Sequence, residues 1–223
     1  MKKFFLSPFF SPVFFTVLWG ALVLAVLVFY PKKTFEITTD GQLIDVATYI
    51  GYALMLLTML TLYQDFKGNH FSWLVYLMLG VCALLREAGI QHHLSTTDST
   101  PFKSRFFLNP NNPLAEKILY GAVLLILFAA LLYLALKYAK HLTTSFFKLN
   151  TVTWSIATFC AVLVFAKFAD RFPSHYRHIK NLDALPRSFI DLWSLLEESA
   201  ELFLPLLIVV ALMQYHVLLK KEN

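Results

Sequence analysis

The chain has 223 residues; 58% belong to the hydrophobic set, 15% are charged, and the formal net charge is +5. A soluble domain is about 45–50% apolar and about 25% charged, so an excess gathered into long blocks excludes a soluble domain and points to an all-α, polytopic integral membrane protein. No long basic run or basic amphipathic helix accompanies the positive balance, which speaks against nucleic acid as a partner and leaves charge that flanks a membrane.

In chain order, the sequence predicts a single six-helix transmembrane domain over 1–223, with helices near 13–30, 45–63, 71–90, 114–139, 151–170 and 188–219. A spanning helix needs about 20 residues. Met1, Lys2 and Lys3 give the first block a positive start, as in a signal peptide. The block is long, however, and Lys32-Lys33 follow it without a small-residue cleavage site, so it reads as a retained helix. The second block fits a span if its Thr and Tyr residues face other helices. The third reaches spanning length only by including Arg86 and Glu87.

Punctuation marks the boundaries. Tyr30-Pro31 stops the first helix, and residues 65–69 form a polar turn. Asn112 is predicted as N-cap of the fourth helix with Pro113 at its first position. Pro173 is predicted to help end the fifth helix, which leaves His175 and His178 in a loop. Pro186 opens the last helix, whose first part, 189–200, lies on the membrane or projects from it, with Pro205 as a kink point. Cys82 and Cys160 fall inside apolar segments and suggest packing rather than a disulfide framework.

An even number of spans puts both termini on one side of what reads as a plasma or bacterial inner membrane. The basic residues divide too evenly between the two sides to orient the chain. Alternation of helix direction then gathers Asp45, Glu87, Glu116, Asp170, Glu197, Glu198 and Glu201 at one end of the bundle. His92, His93, His175 and His178 fall at the same end, with Arg86, Lys103, Arg105, Lys117, Lys167 and Arg171. Glu198 and Glu201, three apart, share a helix face, and so do Glu197 and Glu201, four apart. Like charges at this spacing call for a cation, a proton or a basic side chain between them.

Three readings fit this polar layer. It is an ion-pair lock between helices, a metal site, or a route for protons or a small solute. For the metal site the candidate ligands are Glu87, His92, His93, Asp170, His175, His178, Glu198 and Glu201, and the ion is a divalent metal such as zinc. A metal there would polarise a carbonyl and activate water, with Glu87 or Glu198 handling the proton. Lys103 and Arg105 would hold the head group of a lipid-like substrate while Phe106, Phe107 and Leu108 enter the interface; simple anchoring of the loop to membrane lipids is the plainer account. Signatures of zincins, serine hydrolases and phosphate-binding loops are absent from the sequence. The functional expectation is therefore a metal-dependent hydrolase acting on a lipid or amphiphile. A proton-coupled small-solute transporter and a non-catalytic assembly or sensor subunit are the alternatives.

Overall fold

The structure, a computed structural model, describes residues 2–29, 43–66, 69–90, 101 and 103–222. The described residues are helical almost throughout. Six helices are long and apolar enough to cross a membrane: α1 (Phe10–Phe29), α2 (Leu43–Thr61), α3 (His70–Glu87), α4 (Leu114–Phe147), α5 (Thr151–Ile179) and α6 (Arg187–Glu222). Short helices at Lys2–Phe5 and Ser104–Leu108 and a 3-10 turn at Tyr63–Phe66 are the other helical elements among the described residues. The protein is an all-α polytopic integral membrane protein with six spans, as its composition predicts.

Many large apolar side chains remain on the outside, among them Val28, Ile50, Leu125, Phe128 and Val164. In water that surface would be a liability; against lipid tails it is the expected exterior. Among the described residues no buried side-chain nitrogen or oxygen lacks a hydrogen-bond partner, as a medium without water demands.

The helix ends differ from the sequence expectation. α4 runs to Phe147 and α5 to Ile179, lengths of 34 and 29 residues that exceed the roughly 30 Å hydrocarbon layer at about 1.5 Å per residue. Pro173 lies inside α5 instead of ending it, so His175 and His178 sit on helix rather than in a loop. The lost backbone hydrogen bond is offset by ring packing across the α5–α6 connection. Phe172 lies 4.2 Å from Trp193 between ring centroids, and Tyr176 lies 5.4 Å from Phe189. At the start of α4, Pro113 rather than Asn112 precedes the first helical residue, and its carbonyl accepts from Lys117 N at 3.2 Å. The Asn112 side chain donates to the Phe106 carbonyl at 2.8 Å.

The chain divides into two compact units, Met1–Asp65 with Ser145–Asn223, and Phe66–Thr144. In the first, α6 packs against α5, α2 and α1. Its core joins Val162 and Ala166 of α5 to Ala200, Leu204 and Leu207 of α6, with Phe15, Phe159 and Phe165 around them. Small residues bring the helices close. A Cβ on Gly51 of α2 would stand 2.9 Å from Cγ of Pro205, so any larger residue at this crossing forces the ring or the helices to shift. A buried polar chain ties the N-terminal turn to the same framework. Ser155 Oγ donates to Gln214 Oε1 at 2.6 Å and meets Ser11 Oγ, while Gln214 Nε2 donates to the Phe5 carbonyl at 2.9 Å.

In the second unit, Phe71 of α3 packs edge-on against Tyr133 of α4 at 5.0 Å. Phe106 of the short helix is fully buried against Tyr120. It therefore serves the packing of the protein, whereas Leu108 is exposed.

Candidate acidic site

The site is built on α6, just before its apolar stretch. One helical turn carries Glu197, Glu198 and Glu201, and the spacings of three and four residues place the last of these beside the other two. A carboxylate oxygen of Glu198 lies within 4.8 Å of one from Glu201. The Glu201 side chain is only 9% exposed. Across the helix pair, Lys167 of α5 reaches Glu201 Oε1 at 2.8 Å and Glu197 Oε1 at 3.8 Å. The ammonium answers the charge that three neighbouring carboxylates would otherwise accumulate in a poorly hydrated place.

Two local features fix this turn. Ser199 is fully buried; its Oγ donates to the Leu195 carbonyl and accepts from Trp19 Nε1 of α1 at 2.9 Å. That bond ties the turn that carries the glutamates to α1. Four residues after Glu201 stands Pro205, which has no N–H to return to the Glu201 carbonyl.

The other predicted site residues are placed as follows. Glu87 ends α3 in the second unit, its side chain 9% exposed and 3.6 Å from Arg86. Asp170, His175 and His178 are exposed on the outer part of α5. Lys103 and Arg105 are exposed, at the start of the short helix Ser104–Leu108. His92 and His93 lie outside the described residues. Among the described residues, no histidine belongs to a group of three or more potential metal ligands. What the structure brings together in the first unit is a carboxylate pair with a lysine.

The lysine partner was not singled out by sequence reasoning, although Lys167 is the only charged residue between Asn150 and Ala169. A lone base near the end of an apolar block is a signal that an acid on another helix faces it. Gln214 and His216, polar residues within α6, are both engaged. Gln214 is fully buried in the serine network, and His216 Nδ1 lies 2.6 Å from Asp65 Oδ2.

Fold and site together define the class: a polytopic α-helical membrane protein with a partly buried carboxylate cluster able to hold a metal ion. No protein-family model, curated protein or solved structure matches the chain.

Proposed function

We propose that the protein binds a divalent cation at its acidic end and uses it to hydrolyse a lipid or similar amphiphile. The observation that carries this reading is the approach of Glu198 and Glu201, two carboxylates on one turn with oxygens within 4.8 Å. The donors at this turn are oxygens, which suit magnesium or manganese better than zinc, whose sites favour imidazole and thiolate. The zinc expectation would need histidines that the described part of the site does not supply. Glu198 and Glu201 would hold the cation, which when bound would supply Lewis-acid polarisation of a substrate carbonyl, and Glu198 would take a proton from the attacking water. The water oxygen bonds to the carbonyl carbon, the ester or amide bond breaks, and the proton passes to the leaving oxygen or nitrogen. Helix order in the sequence supports Glu87 as a further carboxylate for the same end, as ligand or base. Lys103 and Arg105 are proposed as the head-group contacts on their charge and exposure.

The test is elemental analysis of protein purified in mild detergent, without chelator or metal-affinity step, before and after reconstitution with magnesium, manganese and zinc. Near one equivalent of metal is expected in the wild type. Glu198→Gln and Glu201→Gln each lose most of it, and Glu87→Gln loses part. An unloaded wild type after reconstitution, or equal metal in all four proteins, would sink the assignment.

A second reading rests on Lys167. Its 2.8 Å contact with Glu201 already supplies a cation to the site, which favours an ion-pair lock between α5 and α6. The two readings part on one variant, Lys167→Met. Under the metal reading it raises cation uptake, and under the lock reading it costs stability with no gain of metal.

A further inference from the structure

The second unit carries a polar constellation of a different kind, and its residues are independent of the acidic site. Lys117 and Lys137 of α4 bracket 19 consecutive uncharged residues. At about 1.5 Å per residue the two lysines are about 30 Å apart along the helix, the thickness of the hydrocarbon layer. Lys137 therefore reaches the level of the lipid phosphates when α4 spans the membrane. Between Glu116 and Asp170 the sequence contains no acidic residue, and Lys140 and His141 follow Lys137 within one turn.

The surroundings of Lys137 hold its ammonium without neutralising it. Nζ donates to Asn69 Oδ1, to Ser72 Oγ at 2.7 Å and to Tyr133 Oη at 3.0 Å. It also lies 5.4 Å from the ring centres of both Tyr133 and Tyr138. Among the described residues no carboxylate pairs with it. Ser72 is fully buried and meets Tyr133 Oη at 3.0 Å. Asn69 Nδ2 donates to Tyr138 Oη at 3.3 Å, which leaves the Tyr138 hydroxyl hydrogen to donate elsewhere. Asn69 precedes α3; its side chain makes no capping bond to the backbone of that helix but accepts from Ser72 Oγ at 3.3 Å and engages the lysine and Tyr138. The result is a fixed positive charge with a hydroxyl donor beside it, framed by rings that suit the membrane interface.

We infer that Lys137, with Tyr133 and Tyr138, binds the phosphate of an anionic phospholipid in that leaflet. A lysine needed only to mark the membrane boundary would project into water on a mobile stem. Here rotamer freedom is already spent on neutral oxygens, so an anion meets an ordered partner and the ordering cost of binding falls. The unneutralised charge selects a net anionic head group over a zwitterionic one.

The test uses the full chain in mild detergent, titrated with phosphatidylglycerol, phosphatidylcholine or inorganic phosphate while the thermal unfolding midpoint is followed. In the wild type, phosphatidylglycerol should raise the midpoint saturably and phosphatidylcholine should act only at much higher concentration. Lys137→Met should weaken the apparent affinity for phosphatidylglycerol about tenfold or more, the loss expected of a charge-assisted contact. Lys140→Met should leave it within about twofold. Tyr138→Phe keeps the three acceptors of Lys137 and should weaken binding by a smaller factor, so the inference is testable even if Lys137→Met fails to fold. Equal responses in wild type and both Lys137 and Tyr138 variants, or equal affinity for phosphatidylcholine, would overturn it. The same saturable response to inorganic phosphate alone would also overturn the lipid assignment, in favour of the free anion.

Discussion

Lys167 and Lys137 stand near the ends of apolar stretches, one in each unit, and their surroundings are opposite in kind. Lys167 faces Glu201 at 2.8 Å and Glu197 at 3.8 Å. Lys137 faces an amide, a hydroxyl and a phenol. One ammonium is consumed as a counterion inside the protein. The other is positioned by neutral groups, and its charge is left to act on whatever approaches. The lesson is that a lysine at a membrane boundary has no fixed role; the partner helix decides whether it closes a site or presents one.

The largest expected effect breaks the first half of that contrast. Lys167→Met leaves Glu201, with its side chain 9% exposed, without the ammonium that compensates it. Removing one partner from a buried charged contact costs more than the contact is worth, because the remaining charge must be held out of water. Lys167 is itself 41% exposed, so water screens part of that charge and a loss of about 1–2 kcal/mol is expected. Thermal unfolding in metal-free detergent measures it. Adding Glu201→Gln to the same chain should restore most of the loss, since the orphaned charge is then gone. A Lys167→Met protein as stable as the wild type, with no metal present, would mean that the pair is not a lock.

A smaller effect sharpens the comparison by separating framework from charge. Gly51→Ala places a Cβ 2.9 Å from the Pro205 ring, one turn beyond Glu201. Overpacking typically costs about 1–3 kcal/mol, and the better helix propensity of Ala returns about 1 kcal/mol. A net loss near 1 kcal/mol is expected in the unfolding midpoint. Cation content per folded molecule should not change, because no ligand is touched. Loss of metal on Gly51→Ala would show that the cation depends on the α2–α6 crossing as well as on the carboxylates.

How much of this was legible in the sequence follows from what each feature depends on. The six spans depend on local apolarity, and their cores were placed to within a few residues. The extensions of α4 to Phe147 and α5 to Ile179 were not, because amphipathic turns beyond the lipid are held by distant rings. Trp154 stacks on Phe146 at 4.7 Å, and Trp193 lies tilted against Phe172 at 4.2 Å. Pro173 was read as a stop because a proline costs a backbone bond, yet that cost is local and the ring packing that offsets it is not. The Glu198–Glu201 approach was legible because a spacing of three fixes it on any helix. Helix direction placed Lys167 at the same end, but its choice of Glu201 among the acids there was not legible, since the two meet only once α5 packs on α6. The chain of Ser11, Ser155 and Gln214 was beyond reach for the same reason: its members are 144 and 59 positions apart, and no periodicity links them.

The smallest expected effect completes the contrast from the other side. Lys137→Met removes a positive charge that no described carboxylate needs. Its three acceptors lose a donor, but Ser72 still meets Tyr133 and Asn69 still reaches Tyr138, and Asn69 lies where water can replace the ammonium. Exposed substitutions of this kind fall within about 0.5 kcal/mol, so in lipid-free detergent the unfolding midpoint should barely move. A loss approaching that of Lys167→Met would mean that the ammonium is the centre of a structural knot, and the distinction between the two lysines would collapse. A neutral result places the value of Lys137 outside the folded chain, in the charge it offers to a ligand.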